Sequence, residues 1–95
     1  MISKNTKPKI NKDIMWRKDG AENEIISLAN SNGGPIHFLN TVGSKIFELS
    51  TGKNTVDDII NKIITHYEGI SEKKIEKDVI EFLKKLKNEN IVNFL

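Results

Sequence analysis

Ninety-five residues with a formal net charge of +2, 37% hydrophobic and 29% charged, describe one highly charged globular domain with a modest core. The absence of cysteine excludes a disulfide framework, a thiolate metal site and a cysteine nucleophile. The apolar runs are too short to span a bilayer as a helix, and the first lysines have no apolar segment behind them as a secretory signal requires, so a cytoplasmic location is expected.

Residues 1–12 carry Lys4, Lys7, Lys9 and Lys12 with no acid, and this Asn/Lys/Pro-containing start predicts a flexible, solvated arm over residues 1–11 of a single domain, 1–95. Residues 13–18 alternate Ile14 and Trp16 against Met15 and Arg17 up to a turn at Asp19-Gly20. In residues 24–30, Ile26 and Leu28 share one face, and Ser31-Asn32-Gly33-Gly34-Pro35 marks the next turn. A third extended run follows, Ile36-His37-Phe38-Leu39. The proline at its head suits an edge strand with one side free, not a central one.

Patterning then changes from strand to helix. Asn40 is placed to cap a helix with apolar spacing at Val42, Ile46, Phe47 and Leu49, ending before Gly52. Thr55, followed by Asp57 and Asp58 in the first turn, starts a second helix carrying Ile59, Ile60, Ile63, Ile64 and Tyr67. Ser71 precedes a third helix through about Asn88, with an apolar stripe at Ile75, Val79, Phe82, Leu83 and Leu86. Residues 91–95 read as a short closing strand or tail. The expected class is α+β: a three-stranded antiparallel sheet followed by a three-helix, winged-helix-like unit.

Catalysis finds few groups to work with. His37 and His66 fall on different elements and lack the companions of a metal site. Asp57 and Asp58 diverge on a helix and serve its dipole better than acid–base chemistry. Asn32-Gly33-Gly34-Pro35 lacks the Lys-Ser/Thr of a phosphate loop, and a strand follows it where such a loop needs a helix. No enzymatic activity, cofactor or metal is expected.

Two features point to binding. The open edge of the third strand is a template for β-augmentation by a peptide. On the last helix, Ile80 falls outside the apolar stripe among Lys73, Lys77, Lys84 and Lys87. It is either incidental exposed surface or the floor of a groove for an acidic, hydrophobic ligand.

The strand carrying Trp16-Arg17 precedes Leu39-Asn40, Gly43, Ile46, Leu49, Gly52, Thr55-Val56, Ile59, Tyr67, Asp78-Val79, Phe82-Leu83 and Leu86. In this order and spacing the chain resembles the PqqD family of small peptide-binding proteins over residues 8–95. The resemblance implies a RiPP recognition element, a module for ribosomally made and post-translationally modified peptides. Such a module binds the leader of a precursor peptide and presents it to a modifying enzyme, often a radical SAM enzyme. It also implies that the leader adds beside the third strand and lies against the last helix. On that basis the strand wall is assigned to Ile36, His37, Phe38 and Leu39. The helix wall is assigned to Lys73, Ile75, Glu76, Lys77, Val79, Ile80, Lys84 and Lys87, with the lysines attracting acidic leader residues.

A winged-helix DNA-binding protein is the main alternative. It would share the three helices and the basic arm, but recognition helices read bases with Arg, Asn or Gln. The lone arginine, Arg17, lies outside the last helix, and Glu76, Asp78 and Glu81 interrupt its lysines. No nucleic-acid or membrane partner is expected.

Overall fold

Alternating apolar residues before position 40 and helical spacing after it yield strands first and helices second. The computed structural model describes residues 2–19, 25–30, 37–67 and 69–95, with the side chains of residues 19, 25, 30, 37 and 38 outside that description. The architecture is α+β, with three helices and small antiparallel sheets. In chain order the elements are β1 (Pro8–Ile10), β2 (Ile14–Asp19), β3 (Ile25–Asn30), β4 (His37–Leu39), α1 (Thr41–Leu49), α2 (Val56–His66), α3 (Glu72–Asn88) and β5 (Val92–Phe94). Strands β2, β3 and β4 pair in the order β2-β3-β4, with Trp16 opposite Leu28 and Ser27 opposite Phe38. The turn signals at Gly20 and at residues 31–35, and the strand residue Ile36, lie outside the described residues.

The core forms where the apolar faces meet. Ile14, Ile26, Leu28 and Leu39 come from the sheet, Ile46 and Phe47 from α1, and Val56, Ile59, Ile60 and Ile63 from α2, all buried. Ile75, Val79, Leu83 and Leu86 complete it from α3. Trp16 remains 43% exposed but meets buried Phe47 in a T-shaped arrangement, with ring centroids 5.3 Å apart.

Two helix starts follow the expected capping chemistry. The Asn40 side chain accepts from the Gly43 N–H at 2.7 Å. Thr55 and Asp58 form a reciprocal capping box, each side chain accepting the other's backbone N–H. These hydrogen bonds from Thr55, backbone before side chain, hold the Asp58 carboxyl below its ordinary value. Ser71 differs: it stands at the N-cap of α3 without making a side-chain cap bond, so that helix relies on burying its stripe.

The expectation of a loose arm over residues 1–11 is corrected. Pro8–Ile10 forms β1 and pairs antiparallel with β5, with Pro8 opposite Phe94 and Ile10 opposite Val92. Earlier residues serve α2, whose first N–H groups have no partner within the helix. Val56 N–H donates to the Thr6 carbonyl at 2.8 Å and Asp57 N–H to the Lys4 carbonyl at 3.1 Å. The lysines gave the segment the composition of a tail, while its backbone meets donors that composition does not reveal.

Candidate functional site

Strand β4 is three residues long, and it pairs with β3 alone among the described strands. Its outer backbone edge is the feature expected from the proline-headed sequence. Position is set by Ser44, buried on α1: the Ile26 N–H donates to Ser44 Oγ at 2.8 Å, and Ser44 Oγ donates to the Leu39 carbonyl at 3.2 Å. Ile26 and Leu39 are cross-strand partners, so one hydroxyl ties α1 to both strands where the chain leaves the sheet.

Directly after β4, Asn40 begins a groove of about 440 Å³ between the start of α1 and the middle of α3. Val42, Gly43 and Ile46 line it from α1. Asp78, Glu81, Phe82 and Lys85 line it from α3. Gly43 sets how closely the helices approach, since a Cβ there would stand 2.9 Å from Phe82 Cζ and 3.1 Å from Asn40 Oδ1. The half-buried Phe82 ring therefore occupies space that any other residue at 43 would contest.

The residues assigned from the sequence divide among three places. Leu39 is buried in the core, while His37 and Phe38 contribute described backbone only and Ile36 lies outside the described residues. On α3, Ile75 and Val79 are corrected from groove wall to core, at 5% and 1% exposure. Lys73, Lys77, Lys84 and Lys87 are exposed, and Ile80 is half-buried against the core. At about 100° per residue, these lysines and Ile80 occupy one flank of the buried stripe, and Asp78, Glu81, Phe82 and Lys85 occupy the other. A 3.1 Å ion pair from Lys4 Nζ to Glu76 Oε1 places the N-terminal segment beside the lysine flank. The groove at Asn40 is lined by the other flank.

Sequence reasoning therefore missed Ser44, Gly43 and Phe82 as site-shaping residues, as well as the Asp78–Lys85 face. Gly43 and Phe82 carried a weak signal as parts of the family pattern. A serine one turn into a helix carries none.

Among the described residues there is no group of three His, Cys, Asp or Glu side chains that could hold a metal ion. No helix among them is long and apolar enough to cross a membrane.

Comparison with solved structures gives a likeness to TbiB1, determined in complex with the TbiA(beta) leader peptide. The two share 22% identity at a TM-score of 0.78, over 90% of this chain and 94% of that one, which shows a common fold. No curated protein compared with the chain matches it. The family described as coenzyme PQQ synthesis protein D matches residues 26–92, and with most of its length covered, this chain belongs to the PqqD family.

Proposed function

We propose that the chain is a non-catalytic recognition element, a single domain over residues 1–95 that acts in the cytoplasm. It binds the leader of a ribosomally made precursor peptide and presents it to a modifying enzyme, a radical SAM enzyme in the favoured version. The single observation that carries the reading is an edge of β4 that pairs with no other described strand, with the groove beginning at Asn40 directly after it in the chain. Membership of the PqqD family supports it, as does the likeness to TbiB1, which was determined with a leader peptide.

The leader extends the sheet by pairing with the backbone of His37–Leu39, and its side chains reach the groove between α1 and α3. Backbone pairing supplies sequence-tolerant affinity, and the groove supplies selection. Holding the leader raises the effective concentration of the attached core peptide at the enzyme, without chemistry in this module. The exposed lysine flank with Ile80 remains available to a second partner while the leader is held.

An NMR titration of labelled protein tests this, using peptides encoded by small reading frames beside the gene and a short DNA duplex as control. Saturable shifts along residues 37–43 and 78–85 with a peptide, and none with DNA, are expected. Salt-sensitive shifts with DNA alone, centred on Lys73, Lys77, Lys84 and Lys87, would instead support a winged-helix DNA-binding role.

A further inference from the structure

Charge along the α1–α3 groove is not uniform. Val42, 36% exposed, lies with Ile46 and Phe82 on its apolar surface. Toward the start of α3 stand Asp78 and Glu81, and one turn past Glu81 stands Lys85. Asp78 already pairs with Lys74 at 3.2 Å on its own helix. Glu81 and Lys85 have helix-surface spacing suited to an ion pair, yet neither makes one within the described residues, and both are exposed. Along the α3 side the groove thus presents an exposed carboxylate and, one turn on, an exposed ammonium, beside an apolar strip formed by Val42, Ile46 and Phe82.

From this polarity we infer the leader's own chemistry: an aliphatic or aromatic anchor for the apolar strip, with a cationic residue facing Glu81 and an acidic residue facing Lys85. The inference rests on the leader-binding reading and adds the order of charge along the bound segment. It also reverses part of the expectation drawn from the lysine flank, because an all-acidic leader would meet Asp78 and Glu81 unfavourably. The apolar anchor provides most of the affinity by burial, and the two charges fix direction and register. At an exposed site each pair is worth little alone, so a matched peptide should bind on the order of 3- to 10-fold tighter than one with its two charges exchanged.

The test is a display selection of random peptides on the wild-type protein and on the double variant Glu81→Lys/Lys85→Glu. The double variant keeps net charge constant and changes exposed positions only, and circular dichroism melting checks that both proteins fold alike. Peptides enriched on the wild type should share an apolar anchor accompanied by Lys or Arg and by Asp or Glu in one fixed order. Peptides enriched on the variant should keep the anchor and exchange the charges. Enrichment of the same charge order on both proteins, or of anchors without charge preference, overturns the inference and leaves leader binding standing. Enrichment of no peptide on either protein overturns the leader-binding reading and the inference with it. Single variants Glu81→Gln and Lys85→Gln, titrated with the best wild-type peptide, assign the preference to each end.

Discussion

Ser44 is a buried hydroxyl that joins a helix to two strands, accepting from the Ile26 N–H and donating to the Leu39 carbonyl. Replacement by alanine keeps the helix but leaves a buried N–H and a buried carbonyl without that partner. Orphaned buried groups are costly, so Ser44→Ala should lower stability by about 1–3 kcal/mol. Urea unfolding would register this as a lower midpoint at unchanged slope. A midpoint within error of wild type would mean that water or backbone relaxation satisfies both groups. Gly43 makes the complementary point, because its lack of a side chain matters through Phe82, 39 positions away along the chain. The role of Ser44 could not be seen in sequence, where a serine is merely compatible with a helix, and that of Gly43 showed only weakly, as part of the family pattern.

At the scale of elements, the capping box is the part of α2 that can be checked most cleanly. Thr55→Ala removes the side chain that accepts from the Asp58 N–H and should cost about 1 kcal/mol. Asp58 completes the box from the other side, and its carboxyl is held below its ordinary value first by the backbone hydrogen bond from Thr55. A lowered native value means the ionised form is favoured by folding. Its contribution is therefore full above the ordinary carboxylate value and disappears as pH falls through the lowered native one. Melting temperatures of wild type and Asp58→Ala should accordingly differ at neutral pH and converge in strong acid. A constant gap across that range would show that the carboxylate's charge plays no part in the cap. Such caps were legible because they depend on residues three positions apart. The two starts at Asn40 and Thr55 and the apolar stripe of α3 follow from spacing of that kind, while the antiparallel strands follow from alternation between turn signals. Which flank of α3 meets α1 was not legible, for a geometric reason. A helical wheel orders the two flanks of a stripe but does not say which faces the sheet edge, and that depends on how α3 packs against α1. The lysine flank is the more distinctive in sequence, and the Lys4–Glu76 pair places the N-terminal segment beside it.

For the whole molecule, the largest departure from expectation is that the chain is closed by its own two ends. Strand β1 pairs with β5, Lys7 and Leu95 exchange backbone hydrogen bonds at 3.1 and 2.9 Å, and the Gly52 N–H donates to the Pro8 carbonyl at 2.8 Å. The turn at Gly52 needs φ of 83°, open to glycine at little cost, so this contact depends on a residue that the sequence marked as a helix stop and a member of the family pattern. The family match begins at residue 26, yet the segment before it supplies acceptors for two N–H groups of α2. Deleting residues 1–10 should thus do more than shorten a tail. Each lost backbone bond is worth about 0.5–1.5 kcal/mol net, and water replaces the exposed ones. With burial of Pro8 and Ile10 also lost, the deletion should cost more than about 2 kcal/mol, or roughly 10 °C in melting temperature for a domain of this size. A solvated arm would leave the melting temperature unchanged, and calorimetry of the two proteins separates the cases. Peptide affinity measured well below the truncated protein's melting temperature adds a second reading. The N-terminal segment lies by the Glu76 flank of α3, while the groove lies on the Asp78–Lys85 flank, so a truncated but folded protein should bind its peptide as tightly as the full chain. A fall in affinity without unfolding would instead place the N-terminal segment in the binding surface.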